Sequence, residues 1–200
     1  MKKNKKILIY RIILILLIIA AVIIGGIIFN KQHEDIVYDS ENKELVNLFH
    51  EQEKENSKND KESKQVDLKY KGYNVIGLIE IPVIDLEYPI LEKTTKLTMA
   101  TSISRFSGGE INENGNVSLA GHNNYSGTMF GKNKKLKLND SILLTDLSGR
   151  TIEYEIYDIF VTDPNDTKIL ETNDETKREV TLITCKNGRS ERLIIKAREK

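Results

Sequence analysis

One apolar segment near the N-terminus most constrains what this chain can fold into. All 18 residues from position 12 to position 29 are apolar or glycine, and four lysines lie within residues 2–6. A helix of that length is roughly 27 Å long, close to the thickness of a bilayer core. We therefore expect a single-pass transmembrane helix over residues 7–29. Because basic residues favour the cytoplasmic side, residues 1–6 should lie in the cytoplasm and residues 30–200 on the extracytoplasmic side of the membrane.

A cleaved signal peptide is the alternative interpretation of this segment. Such a peptide usually has a shorter apolar core, which is followed by small residues at the cleavage site. Gly25 and Gly26 are small, but the bulky residues Ile27, Ile28 and Phe29 follow them. The length of the segment and its poor cleavage site favour an uncleaved anchor.

The next part of the chain is strongly polar. Residues 30–72 are rich in Glu, Lys, Asn, Asp and Gln, and residues 51–64 contain no apolar side chain. Because such a segment buries too little surface to offset its loss of conformational entropy, we predict a polar tether over residues 30–72. Leu45, Leu48 and Phe49 recur at helical spacing, so a short amphipathic helix and a frayed segment both remain open.

Residues 73–200 have the pattern of a β domain. Apolar residues alternate with polar ones over 84–90, which is typical of a half-buried strand. Further strand candidates are 117–120, 141–145, 151–161, 180–185 and 192–197. The apolar phase changes within 151–161, which predicts a bulge or bend. Only about residues 94–102 have a helical pattern, so we expect an all-β barrel or sandwich.

Charge and cysteine usage narrow the functional classes. The chain has 30 basic and 30 acidic residues, so we expect no nucleic-acid partner. Cys185 is the one cysteine, although exported domains often use cysteines in disulfide pairs. It is therefore either a small buried hydrophobe or a reactive nucleophile.

A cysteine nucleophile needs a proton partner, which is usually histidine. His33 and His50 lie in the predicted tether, whereas His122 follows the strand candidate 117–120 in the folded region. Strand ends and loops can both hold and expose a catalytic side chain. His122 is thus the candidate partner of Cys185, and a surface histidine without a task is the alternative.

The dipeptide at 187–188, Asn-Gly, is the strongest short signal for a hairpin. If these two residues form the loop, Cys185 opposes Ser190 and Arg192 lies diagonally across from the cysteine on the same face. A three-residue loop would move Arg192 to the other face. The hairpin therefore makes Arg192 the candidate for stabilising charge, and an ordinary surface charge is the alternative.

These segments together resemble the active site of a sortase, a class of membrane-tethered transpeptidases of Gram-positive bacteria. The resemblance rests on Thr-Leu-Ile-Thr-Cys at 181–185, Leu-Ala-Gly-His at 119–122, and Arg192 at the start of a strand. It covers residues 73–200 and implies a closed eight-stranded β-barrel with one or two short helices, preceded by the transmembrane helix.

The resemblance also implies the roles of the site residues. Cys185 attacks the threonine carbonyl of a Leu-Pro-x-Thr-Gly-like signal and forms a thioester, while His122 protonates the departing amine. Arg192 positions the substrate and stabilises the oxyanion, and Thr184 and Ala120 contact the substrate. The acceptor is an amine of a cell-wall precursor such as lipid II, or a lysine of a pilin.

Two features bear on the subclass. The segment 163–178 is short, which disfavours class B sortases with their long helical insertion there. The Asp-Pro-aromatic lid and second membrane segment of pilin-type class C enzymes are not found in the sequence. We therefore expect a class A, D or E-like enzyme.

Thioester chemistry needs no metal or organic cofactor, and we expect none. Some class A sortases nevertheless bind calcium through acidic loop residues, for which the candidates here are Glu110, Glu113, Asp163 and Asp166. Calcium requires six to eight converging oxygen ligands. Solvated acidic loops are the simpler interpretation of these residues.

Two alternatives of other classes remain open. A cysteine hydrolase would use the same Cys185 and His122 with water as the acceptor, and product analysis with and without an added amine would separate the two enzymes. A non-catalytic membrane-anchored binding domain would keep Cys185 buried and inert, and a thiol reagent would not label it.

Overall fold

A single long helix, α1 (Lys2–Lys58), begins the chain. The computed structural model describes residues 2–58, 67–172 and 174–200, and it divides into two units, the first ending at Val37 and the second beginning at Tyr38. Within these described residues, α1 is the one helix long and apolar enough to span a membrane, which makes it a candidate anchor.

The helix continues through residues 30–58, where the sequence predicted a polar tether with a possible short helix. Residues 38–58 belong to the second unit, because their apolar side chains pack on its barrel. Residues 59–66 of the predicted tether lie outside the described residues. The boundaries of the tether therefore stay a prediction.

Eight strands close into a barrel, to which a ninth, two-residue strand is added at one edge. The strands are β1 (Lys69–Tyr70), β2 (Tyr73–Ile81), β3 (Leu86–Leu91), β4 (Ile103–Ser107), β5 (Gly115–Ala120), β6 (Ser141–Asp146), β7 (Thr151–Thr162), β8 (Arg178–Lys186) and β9 (Glu191–Glu199). Their order is β1-β2-β3-β4-β5-β8-β9-β7-β6, and β2 also pairs with β6 and closes the barrel. The predicted all-β, eight-stranded closed barrel is confirmed.

Short helical segments connect the strands. The helix α2 (Lys96–Thr101) lies within the predicted helical stretch, and Thr95 caps its N-terminus through a hydrogen bond from the Thr98 backbone N–H. The predicted irregularity in β7 is confirmed, because its register with β9 shifts between Ile156 and Asp158. A bulge there moves the inward-facing side chains from one phase to the other.

The core and the functional face are the two sides of the same three neighbouring strands. Residues that point into the barrel from β5, β8 and β9 are Val117, Leu119, Val180, Leu182, Ile195 and Ala197. Because side chains alternate along a strand, the outer face carries the intervening residues. We call this outer surface the site face: Asn116, Ser118 and Ala120 of β5, Thr181, Ile183 and Cys185 of β8, and Arg192, Ile194 and Lys196 of β9.

A second apolar cluster covers the outside of β2 and β3. The helix α1 contributes Leu45, Val46 and Phe49, which pack against Val75, Leu78 and Leu91. The amide of Asn42 donates a hydrogen bond to the Thr101 carbonyl at 2.7 Å. The helical spacing of these apolar residues is thus explained by burial against the barrel. Every residue of β3 except Glu87 is buried, so the strand is not the half-exposed one that its alternation predicted.

Candidate active site

The predicted catalytic residues lie at one end of the site face, Cys185 and Arg192 on two adjacent strands and His122 in the segment that follows β5. The central strand is β8, and its Cys185 pairs directly with Arg192 of β9. On the other side, β5 runs parallel to β8, with Ala120 paired to Ile183. Beyond the end of β5, hydrogen bonds from Gly121 to Ile183 and from Asn123 to Cys185 keep the segment that carries His122 beside the end of β8. The structure therefore assembles the three residues that the sequence singled out separately.

The predicted two-residue hairpin is wrong. The loop has four residues, 187–190, so that Cys185 opposes Arg192 directly and not Ser190. The backbone turns through Asn187, Gly188 and Arg189, which all have positive φ angles of 48°, 71° and 117°. The register changes by two residues relative to the prediction, and an even change keeps side chains on the same face. Arg192 therefore still lies on the face of Cys185.

Hydrogen bonds fasten the segment that carries His122 to the end of β8. The backbone N–H of Gly121 donates to the Ile183 carbonyl at 3.2 Å, and the Thr184 hydroxyl donates to the Gly121 carbonyl at 2.7 Å. One residue beyond the histidine, the Asn123 side-chain amide donates to the Cys185 carbonyl at 2.9 Å. Contacts on both sides of His122 thus fix its backbone relative to the cysteine.

Close packing of an aromatic ring supports the same turn. A Cβ atom at Gly121 would lie 2.8 Å from Cδ2 of Phe130, which is too close for an unshifted ring. The Phe130 backbone N–H donates to the His122 carbonyl at 3.0 Å. Glycine at 121 therefore allows the ring to lie against the strand end that presents the histidine.

The predicted substrate contacts Thr184 and Ala120 are mostly covered. Thr184 is buried and uses its hydroxyl hydrogen for Gly121, and Ala120 is buried as well. In the structure Thr184 and Ala120 contribute to the contact between β5 and β8, Thr184 through its hydrogen bond to Gly121 and Ala120 through its pairing with Ile183. Contact with substrate stays a prediction for both residues.

The guanidinium of Arg192 is held over the hairpin loop. Its Nη1 donates to the carbonyls of Arg189 at 3.0 Å and Glu191 at 3.1 Å. Within the described part of the chain, Nε and Nη2 of Arg192 make no hydrogen bond. The group can therefore donate to a carbonyl oxygen or an oxyanion beside Cys185, which is itself partly exposed. That exposure disfavours the inert, buried cysteine of the non-catalytic alternative.

A turn from the β7–β8 connection forms a wall on the site face. Ile169, in the 3-10 turn Lys168–Leu170, packs on Ile183 and Ile194. Two asparagines that sequence reasoning missed act in this region: Asn116, which hydrogen-bonds the turn, and Asn123 beside the histidine. Each asparagine has a glycine or an asparagine as its neighbour, which is the pattern of an ordinary turn. Their hydrogen-bond partners are distant in sequence, so no local signal indicates these roles.

Acidic residues do not form a shared cluster in the described residues. No group of three or more His, Cys, Asp or Glu side chains able to hold a metal is found among residues 2–58, 67–172 and 174–200. The four calcium candidates have protein partners of their own: Glu110 pairs with Arg105 at 2.8 Å, Glu113 with Arg150 at 3.3 Å, Asp163 accepts from Asn165, and Asp166 accepts from Thr162 at 2.6 Å. A reaction without cofactor stays a prediction.

Comparison with known proteins connects this arrangement to one family. The family model described as the sortase domain matches residues 79–200. Sortase A of Bacillus anthracis is 34% identical over 112 residues, which are 56% of this chain and 52% of that protein. Sortase D of Bacillus subtilis (strain 168) is 33% identical over 110 residues, 54% of this chain and 53% of that protein. The chain thus spans about half the length of these two curated relatives.

A solved structure extends the likeness over more of the chain. The Clostridium perfringens Sortase D5 transpeptidase has a TM-score of 0.63 and 31% sequence identity. The match covers 80% of this chain and 99% of that chain. The match therefore covers a larger share of this chain than either curated relative does.

Proposed function

Because this chain belongs to the sortase family, whose members are cysteine transpeptidases, we propose that it is a membrane-anchored transpeptidase acting through a thioester on Cys185. The observation that supports the proposal is the direct pairing of Cys185 with Arg192, together with the hydrogen bonds that hold both neighbours of His122 to the end of β8. The sequence order and spacing of the three residues alone could not supply it.

In the proposed first step, Cys185 Sγ attacks the threonine carbonyl of a Leu-Pro-x-Thr-Gly-like signal. A carbon–sulfur bond forms, the peptide carbon–nitrogen bond breaks, and His122 supplies the proton that the departing amine takes. In the second step an incoming amine attacks the thioester, His122 accepts its proton, and the thiolate of Cys185 leaves. Atoms and charges balance without a further reactant.

Arg192 is proposed to stabilise the oxyanion of both tetrahedral intermediates. Its Nε and Nη2 make no hydrogen bond within the described residues, while Nη1 is fixed to the loop carbonyls. A fixed cation loses little freedom when the negative charge develops, which is the condition for strong electrostatic catalysis.

The substrates are proposed on the basis of the family. The donors are secreted proteins with a C-terminal sorting signal, and the acceptor is a cell-wall amine of the lipid II type or a pilin lysine. The apolar part of α1 would anchor the enzyme, with the lysine-rich N-terminus in the cytoplasm and the barrel outside. That orientation places the thiol where exported proteins pass.

The test uses the full chain in lipid nanodiscs with a panel of sorting-signal peptides. We expect intact-mass analysis to show an acyl adduct on Cys185, and none on the Cys185→Ala variant. Adding a primary amine should convert the adduct to an amide product. An adduct that yields the same acid product with and without amine would instead establish the hydrolase, and no adduct with any peptide on a folded protein would overturn the proposal.

A further inference from the structure

One buried side chain fastens the 3-10 turn Lys168–Leu170 to the barrel. Asn116, the second residue of β5, is 8% exposed. Its Nδ2 donates to the carbonyls of Ile169 at 3.3 Å and Leu170 at 3.1 Å. Its Oδ1 accepts a hydrogen bond from the hydroxyl of Thr181 on β8 at 2.9 Å. All the polar atoms of this amide therefore have partners.

The chemistry of the partners fixes which residue type can serve here. Backbone carbonyls only accept hydrogen bonds, so the group that faces them must donate. Aspartate has the same shape as Asn116 but would direct carboxylate oxygens at two carbonyl oxygens. A donor at position 116 is thus needed to keep the two hydrogen bonds to the turn.

The turn lies close to the reacting residues along the strands. Ile169 packs on Ile183, two residues before Cys185, and on Ile194, two residues after Arg192. Two residues of strand measure roughly 7 Å. The Nζ of Lys196 adds a more exposed attachment by donating to the Glu171 carbonyl at 3.2 Å.

We propose that Asn116 is a positioning residue that holds this turn against the site face and thereby sets the affinity and selectivity for the acyl part of the sorting signal. The inference rests on the proposed function, because it concerns the substrate of that site. Asn116 does not touch Cys185, His122 or Arg192, which are placed by strand pairing and by the hydrogen bonds of Gly121 and Asn123. Loosening the turn should therefore weaken binding and leave the chemical step intact.

The informative variant is Asn116→Asp in the full chain. We expect KM for the best sorting-signal peptide to rise about tenfold, as expected when a buried hydrogen bond is replaced by an unmatched polar contact, while kcat changes less than about twofold. The differences in kcat/KM between sorting-signal peptides should become smaller, because the turn Lys168–Leu170 that distinguishes the peptides is no longer fixed. Asn116→Ala should act in the same direction.

Hydrogen–deuterium exchange provides a readout that needs no catalysis. The amides of Leu170 and Glu171 close the turn by donating to Thr167 and Lys168, and they should exchange about tenfold faster in Asn116→Asp. The rate at which iodoacetamide labels Cys185 should stay within about twofold, which shows that the reacting residues are undisturbed.

A matched control lies two residues along the same strand and face. Ser118 is fully buried, and its hydroxyl has no hydrogen-bond partner within the described residues. Ser118→Ala should leave the exchange of the turn unchanged. If the Asn116 variants do not fold, Lys196→Met removes only the exposed attachment to Glu171, and it should raise the exchange rate of that amide and KM by a smaller factor.

The outcomes separate this inference from the proposed function. A wild-type protein that forms no adduct would overturn the transpeptidase and, with it, the role in selectivity. An active wild type whose Asn116→Asp variant shows unchanged exchange and unchanged KM would overturn the positioning role alone. Faster exchange with an unchanged KM, or a fall in kcat at constant KM, would contradict the link between the turn and substrate affinity.

Discussion

Cys185 and Arg192 face each other directly across the β8–β9 ladder, at the last pair but one before the hairpin loop. Directly opposed residues have Cβ atoms roughly 4.5–5.5 Å apart. Arg192 turns its Nη1 toward the carbonyls of Arg189 and Glu191, so the loop limits the positions that its guanidinium can adopt. Strand pairing thereby keeps the thiol and the cation on one face, and the loop carbonyls hold the guanidinium in place.

This relationship predicts that Arg192→Ala lowers kcat for thioester formation by about 100- to 1,000-fold, because the developing oxyanion loses its charged donor. Single-turnover mass spectrometry of the Cys185 adduct would measure the rate. Arg189→Ala removes the same charge from the exposed loop but keeps the carbonyl that holds Arg192, and it should stay within about threefold of wild type. Equal losses in the two variants would show that loop charge, and not the Arg192 contact, matters.

It could be predicted from the sequence that Cys185 and Arg192 share a face, because side chains alternate along each strand and an even change of register leaves the face unchanged. The strand pattern and the Asn-Gly turn placed both residues on one side, and the true four-residue loop preserved that parity although it changed the partner of Cys185. The parallel pairing of β5 with β8 could not be predicted, because it joins segments about 60 residues apart with no turn between them. The sequence therefore links His122 to Cys185 only by family resemblance, whereas the fold pairs the strand before His122 with the strand that carries Cys185.

The same limit applies to the helix and to the buried amide network. The spacing of Leu45 and Phe49 indicated a possible helix, but nothing local identified β2 and β3 as its partners. Asn116 reads as a turn residue beside Gly115, and its acceptors lie 53 and 54 residues away. Long-range polar contacts leave no periodic trace in a sequence.

Gly121→Ala is expected to destabilise the turn that carries His122. The new Cβ would lie 2.8 Å from the ring of Phe130, so the ring or the strand end must move. Overpacking of this kind costs about 1–3 kcal/mol of unfolding free energy. Urea unfolding followed by circular dichroism would measure the loss. Gly109→Ala is the control, because its Cβ meets nothing within 4 Å, and a similar loss in that variant would contradict the steric explanation.

Phe49→Ala tests whether residues 38–58 are an integral part of the folded unit. Phe49 is 0% exposed and packs with Leu78 and Leu91 of the barrel. Removing a buried phenylalanine side chain typically costs about 3–5 kcal/mol. We expect the barrel as a whole to unfold at a lower urea concentration. Near-UV circular dichroism would measure this through the tyrosines, because the chain has no tryptophan. The adjacent Leu48 is 39% exposed, so Leu48→Ala should have a much smaller effect. If the barrel of Phe49→Ala unfolds at the same urea concentration as that of the wild type, residues 38–58 do not contribute to the stability of the barrel.

His50 links the same helix to β3 through Glu87, and it also contacts Glu53 on its own helix. Its Nε2 lies 2.7 Å from Glu87 and its Nδ1 lies 3.3 Å from Glu53. Burial alone would lower the pKa of His50, but the hydrogen bonds with Glu87 and Glu53 outweigh burial, so the net shift of the pKa is upward. A pKa that is raised in the folded state means that the protonated form stabilises the fold. This contribution is complete below the unfolded pKa near 6.5 and is lost as the pH rises through the raised folded pKa.

We therefore expect the difference in unfolding free energy between wild type and His50→Gln to be larger at pH 5.5 than at pH 8.5. Glutamine keeps a polar group at position 50 but has no charge to lose, so subtracting the two urea curves cancels the other titrating groups. The exposure of the His50 side chain, 40%, lets solvent screen the two ion pairs, and the difference should shrink further when salt is raised to about 1 M. A difference that is constant across this pH range, or larger at pH 8.5, would show that the charge of His50 does not stabilise the helix contact.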